Sequence, residues 1–319
     1  MDFRILFSNL TNPTLLFFVL GFVATVVKSD LKIPEASSRF ISLYLLFSIG
    51  FKGGQELSHS VFSMEIVYAL LLGLAIASVI PLYTFFILKS RMTVSDAGAT
   101  AAAYGSVSAV TFVAAVSFLE AMNIAIGGHM VAVIALMEAP AIIVGVILIR
   151  KFERDGTNGR LRDVATHSFT NGSVLLILGS LVIGLIADTK QAEGIKPFTT
   201  DIFKGFLAIF LLEMGMVTAR RFAAFKKYGW FAPAFAVVVP FINGCLVALL
   251  TAPLIHDTGN RFIFAVLAAS ASYIAVPAAM QLAAPRADPG LYIPMALGVT
   301  FPFNITFGMP VYLYLVQHF

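Results

Sequence analysis

Two stretches, AYGSVSAVTFVAA (residues 103–115) and LAASASYIAVPAA (residues 267–279), decide how this chain is read. They share a pattern of small and hydroxylated side chains, with Ser106 and Ser108 registering on Ser270 and Ser272. Each lies within an apolar segment, where serine and glycine hold a helix weakly. A helix that breaks there frees backbone amides and carbonyls that only a cavity, a neighbour or a ligand can satisfy. Two such breaks at matching places in the two halves point to a transporter's central site.

The composition excludes a water-soluble domain. Of 319 residues, 59% are hydrophobic and only 12% charged, and the mean hydropathy is +0.91, the profile of an integral membrane protein. The single cysteine, Cys245, leaves no internal disulfide. A pI near 9.2 reports loop orientation in such a protein rather than a nucleic-acid partner. There is no HExxH, GxSxG or paired intramembrane Asp, so a membrane enzyme is the poorest reading. The histidines, His59, His129, His167, His256 and His318, show no metal-ligand spacing.

The chain reads as all-α with ten spans, at about residues 13–28, 36–51, 64–88, 96–119, 129–150, 171–187, 202–219, 231–255, 261–284 and 291–315. Alternating the loops collects Lys and Arg on one side and leaves only Arg4, Lys52, Lys190, Lys196, Lys204 and Arg261 on the other. The positive-inside rule makes the basic side cytoplasmic and both termini external. VVKSD after the first span offers no small-x-small cleavage site, so that span is expected to be retained. Five spans per half start the second copy on the opposite side of the bilayer, so the repeat is inverted: residues 1–150, a cytoplasmic linker at 151–170 and residues 171–319. NPTLLFFVLG with NGSVLLILGS, FSIGFKGG with LLEMGMVTA and LMEAPA with GVTFPF support it by their shared order.

Spans 4 and 9 enter from opposite sides, so their breaks are expected to cross near the midplane. New half-helices would start around residues 107–111 and 271–276, with Pro277 suited to a first turn because it lacks an amide. Two positive helix ends and unpaired amides then suit a small anion, with the hydroxyls of Ser106, Ser108, Ser270 and Ser272 as further donors. Freed carbonyls and side-chain oxygens suit sodium. Glu138 stands mid-span, where a carboxylate needs a partner or water. It is the candidate for a sodium site with Thr111, Thr300, Asn304 and Thr306; the alternatives are a proton carrier and a neutral structural Glu. Pro140 and Pro302 match in the following spans, Gly50, Gly53, Gly54 and Gly215 read as packing positions, and Asp96 as the cap of span 4.

The run SDAGATAAAYGSVSAVTFVAAVSFLE, the later EAPA, and ASASYIAVPAA with DPGLYIPMALGVTFPFN resemble the sodium-dependent bicarbonate transporter family first known from cyanobacteria, across essentially the whole chain. The resemblance implies two inverted five-helix repeats with crossed, discontinuous helices 4 and 9, and core and gate domains each built from both repeats, on a fold similar to the bile-acid sodium symporters and sodium/proton antiporters. It further implies a homotrimer in a bacterial inner membrane and sodium-coupled bicarbonate uptake by an elevator-type mechanism, with sodium as coupling ion and no cofactor. Carried over by motif, Ser106, Val107, Ser108, Ser270, Ala271 and Ser272 would surround the bicarbonate. A PII-like cytoplasmic regulator belongs to the same expectation, and the short 151–170 segment argues against it. Tyr273 departs from the family, whose members tend to be polar or acidic there. A sodium symporter of another small organic anion shares all these features. A sodium/proton antiporter would place acidic residues at the crossing, and none lies between Asp96 and Glu120 or between Arg261 and Arg286.

Overall fold

The computed structural model describes residues 13–59, 63–153, 166, 170, 172–222 and 229–319. Among these the chain forms helices and no strand. They are α1 (Pro13–Val26), α2 (Glu35–Ser58), α3 (Met64–Lys89), α4 (Val94–Gly105), α5 (Ala109–Ala121), α6 (Met130–Phe152), α7 (Gly172–Ile186), the short α8 (Thr189–Glu193), α9 (Phe203–Phe222), α10 (Phe231–Leu250), α11 (Thr258–Ala268) and α12 (Ala275–Ala283). The closing helical run contains α13 (Pro289–Ile293), α14 (Phe301–Phe303) and α15 (Met309–His318), joined by π-helical stretches at Pro294–Thr300 and Asn304–Gly308.

Among the described residues six helical stretches are long and apolar enough to cross a membrane: Met64–Lys89, Val94–Ala121, Met130–Phe152, Pro197–Arg220, Phe231–Leu250 and Pro289–His318. Two shorter apolar helices, Leu15–Val26 and Gly172–Ile186, accompany them. Large apolar side chains face outward along α1 (Leu16, Leu20), α3 (Leu71, Phe86), α7 (Leu175, Ile186) and α10 (Val238, Leu246), a surface that only lipid covers at low cost. The stretch Val94–Ala121 lies deepest, with 89% of its 18-residue apolar window buried, although it carries a sequence poorly suited to an unbroken helix.

Two packing groups build the molecule. In one, α1 runs along α9 and α2 along α7; in the other, α3, α4, α5 and α6 pack with α10, α11, α12 and the closing run. Glycine lets the first group close backbone to backbone. A Cβ on Gly54 would strike the Leu181 carbonyl, one on Gly184 the Phe51 carbonyl, and one on Gly215 the Phe18 carbonyl. Gln55 donates to the carbonyls of Gly184 and Ala187, and Tyr44 to that of Phe198.

Helix ends follow local chemistry. The cap of α4 is Thr93 rather than the expected Asp96. Thr93 Oγ1 accepts from the Asp96 amide at 3.1 Å and donates to the Asp96 carboxylate at 2.7 Å, a reciprocal box with Asp96 in the first turn. Asn123, in the left-handed region (φ 56°), ends α5. Helix α2 continues to Ser58 through Gly53 and Gly54, past the expected end at residue 51, because tertiary packing of those glycines outweighs their poor helix propensity. The expected linker at 151–170 lies mostly outside the described residues.

Candidate functional site

The two serine-rich stretches are where the helices stop. Helix α4 ends at Gly105 and α5 begins at Ala109; α11 ends at Ala268 and α12 begins at Ala275. The breaks bond to each other. The Ser272 amide donates to the Ala103 carbonyl at 2.8 Å. In the register that pairs 108 with 272, the Ser108 amide would reach the Leu267 carbonyl. It reaches it through one hydroxyl, donating to Ser270 Oγ at 3.1 Å while Ser270 Oγ donates to Leu267 O at 2.8 Å.

The four serines therefore differ. Ser108 Oγ accepts from the Thr111 amide at 3.1 Å and so caps α5. Ser272 Oγ accepts from the Val276 amide at 3.4 Å at the start of α12. In both, the hydroxyl hydrogen stays available to an acceptor. Ser270 has committed its hydrogen to Leu267. Ser106, 0% exposed, has no partner for its Oγ among the described residues. Tyr273 Oη is likewise buried, without a hydrogen bond of normal geometry, beside the Ser108 side chain. A buried polar atom without a partner costs about 1–3 kcal/mol, so two at one crossing call for an explanation. Val107 and Ala271 line the breaks and are buried.

The positive ends of α5 and α12 both lie at this crossing, together with the orphan hydroxyls, and an acceptor-rich anion satisfies all of them. A cavity of about 520 Å³ runs to it, lined by Ser38, Arg39 and Ser42 of α2, Phe210 of α9, Ala109 and Val110 at the start of α5, and Ile274 just before α12. A second cavity, of about 400 Å³, lies at the other end of the seam between α2 and α5, lined by Lys52, Glu56, Val116, Glu120 and the 124–128 loop. From Arg39 to Glu56 is roughly 25 Å along α2, so the cavities sit at opposite ends of one helix. At the second, Lys52 Nζ meets Glu120 Oε1 at 2.8 Å and Lys204 Nζ meets Glu120 Oε2 at 3.9 Å. Nearby at the α6 N-cap, burial lowers the His129 pKa, opposed in part by Glu65 and Asp257.

The cation candidates are not gathered at one point. Thr300 Oγ1 donates to Ala236 O at 2.7 Å and accepts from Tyr104 Oη at 2.8 Å, joining the closing run to α4 and α10. Asn304 donates to Ala269 O, the carbonyl just past α11, at 2.6 Å and accepts from Tyr312 at 3.0 Å. Thr306 donates to its own helix at Pro302 O. Thr111 gives its amide to the Ser108 cap. Glu138, on α6, makes no hydrogen bond or ion pair among the described residues, and α6 packs on α3, α4, α7 and α12. Thr300 and Asn304 thus brace the two breaks, one from each side, while Glu138 is bonded to neither. Among the described residues no group of His, Cys, Asp and Glu suits a metal centre.

Sequence reasoning missed the Lys52–Glu120–Lys204 group, because nothing in local pattern couples residues on α2, α5 and α9. It also missed which serine is free, which depends on the path of the chain between the half-helices.

Broken helices that bond to each other, positive ends turned inward and a cavity leading to them define a membrane transporter of small ions. The chain belongs to the Na+-dependent bicarbonate transporter superfamily, whose profile matches residues 13–317. No curated protein matches the chain. Membership makes it a multi-pass Na+-dependent bicarbonate transporter, with sodium as the coupling ion, and not an enzyme.

Proposed function

We propose that this protein is a sodium symporter that carries bicarbonate inward by sliding the second packing group, as a core, along the first, as a gate. The observation that carries the reading is the crossing itself. Two helix breaks are bonded amide to carbonyl and amide to hydroxyl, with the Ser106 and Tyr273 hydroxyls buried and unsatisfied there, and an open cavity reaches Ala109 and Ile274 beside them. In this reading bicarbonate accepts from Ser106, Tyr273, Ser108 and Ser272 and from amides of the half-helices. Ser270 holds the crossing together rather than the anion.

The helix packing supports an inverted repeat of five spans. Glycine-mediated pairing of α2 with α7 has its counterpart in α9 with α1, and the pairing of α3 with α4 has its counterpart in α10 with α11. The ten spans are then α1, α2, α3, α4–α5, α6, α7, α9, α10, α11–α12 and the closing run. With the basic loops inside, the 520 Å³ cavity faces the cytoplasm and the Glu120 ion pairs close the outer side, an inward-facing state. In this reading sodium binds among the carbonyls freed at the breaks, which Thr300 and Asn304 brace from either side. Glu138 supplies the negative charge, because an ionised mid-membrane carboxylate needs a cation.

Leu46 on α2 and Val113 on α5 face the same cavity across the seam. With Cys245 replaced by Ser, cysteines at 46 and 113 joined through two disulfides by a short bis-methanethiosulfonate should stop uptake until a reductant cleaves the bridge. Undiminished uptake by fully cross-linked protein would rule out sliding of α5 past α2.

A further inference from the structure

The group at the outer cavity has a chemical reading of its own. Glu120 closes α5, in the core, and points one carboxylate oxygen at each of two lysines from the gate, Lys52 on α2 and Lys204 on α9. A carboxylate and a bicarbonate present the same planar O–C–O fork. We propose that Lys52 and Lys204 form an outer capture site for a small planar oxyanion, bicarbonate in the first instance, and that Glu120 occupies it as a tethered surrogate while the transporter faces inward. The proposal rests on the alternating-access reading above. When the core carries Glu120 away from the gate, the two lysines stay behind, Lys52 on the wall of a cavity of about 400 Å³ and Lys204 next to Phe203 at its edge, and an incoming anion takes the place of the carboxylate.

Charge favours this exchange. Glu56, also on α2 and lining the same cavity, balances one lysine, and Glu120 balances the other. Withdrawal of Glu120 leaves the group with net positive charge at the entrance. The side chains of Lys52 and Lys204 are 31% and 61% exposed, so the site is wet and holds an anion weakly. That suits capture and release better than storage, and it works chiefly through the encounter rate. The same three charges also set the balance between states, because bicarbonate and Glu120 compete for one pair of cations.

The test uses the full-length protein in proteoliposomes, with labelled bicarbonate presented at a range of concentrations and ionic strengths. Lys52→Met and Lys204→Met should each raise the half-saturation concentration about 2- to 5-fold, the range of half-exposed charge pairs, and flatten its dependence on ionic strength. Glu120→Gln keeps the shape, removes the competing charge and should lower the half-saturation concentration. Lys52→Arg should restore near wild-type values, which separates lost charge from lost folding. Unchanged half-saturation in both methionine variants, or a rise in Glu120→Gln parallel to theirs, would overturn the proposal and make the group a structural bridge. Sodium-driven uptake in the same vesicles separates the outcomes: if it persists while the lysine variants match wild type, only the capture site falls, and if wild type lacks it, the transport reading falls first.

Discussion

Ser106 and Ser270 occupy equivalent places in the two serine-rich stretches, yet the structure bonds them differently, and replacing each by alanine tells them apart. Ser106 Oγ has no protein partner among the described residues, so Ser106→Ala removes nothing that holds the fold. If that hydroxyl donates to bicarbonate, the loss is a hydrogen bond to a charged group, about 1.5–3 kcal/mol, which raises the half-saturation concentration roughly 10- to 150-fold. Ser270 Oγ links the Ser108 amide to the Leu267 carbonyl. Ser270→Ala strands a buried amide at the crossing and should cost about 1–3 kcal/mol of stability, read as a lower thermal midpoint of the purified protein in detergent. Both variants are assayed for uptake and for thermal unfolding. A Ser106→Ala protein with wild-type affinity and a lowered midpoint, beside a Ser270→Ala protein with lost affinity and unchanged stability, would refute the assignment.

The remaining expectations concern separate parts of the molecule. Tyr273→Phe removes only an unsatisfied hydroxyl; it should weaken the apparent bicarbonate affinity about 10-fold or more without loss of stability, and equal affinity would remove Tyr273 from the site. Glu138→Gln should shift sodium activation to higher concentrations before it alters anion affinity at saturating sodium, whereas an unchanged sodium curve in well-folded protein makes Glu138 a neutral structural residue. Gly54→Val sets a branched side chain against the Leu181 carbonyl and Gly184 and should destabilise the gate by about 1–3 kcal/mol, checked by thermal unfolding. In a Cys245→Ser background, cysteines at Arg91 and Arg286 should escape a membrane-impermeant thiol reagent in intact cells while those at Asn123 and Glu193 react; labelling at 91 from outside would reverse the orientation.

What the sequence disclosed follows from what acts locally. The breaks were legible because serine, glycine and a first-turn proline mark helix ends by their own chemistry, and α5 and α12 begin at Ala109 and Ala275, inside the expected windows. Apolar length marked, for the same reason, the six described stretches that are long and apolar enough to cross a membrane. The end of α2 was not legible. Gly53 and Gly54 read as packing positions beyond the expected end at residue 51, and the close approach of α6 and α7 holds them inside the helix. That extension carries Lys52 and Glu56 into helix and brings Lys52 to Glu120, a meeting decided by tertiary packing. The serine pattern announced a site with four equal donors. It could not show that one hydroxyl would be spent bridging the breaks and another left free, because that depends on how two distant loops cross. Nor did the closing run betray its π-helical stretches, which place Thr300 and Asn304 against the two breaks.

Sodium-coupled movement of bicarbonate through the crossing is measured by uptake of labelled bicarbonate into proteoliposomes holding the purified protein, with an inward sodium gradient and with sodium replaced by choline at equal ionic strength. Uptake should be concentrative in sodium, collapse in choline and, at low bicarbonate, fall strongly with Ser106→Ala. Equal uptake in choline, or sodium-driven uptake that Ser106→Ala leaves untouched, would contradict it.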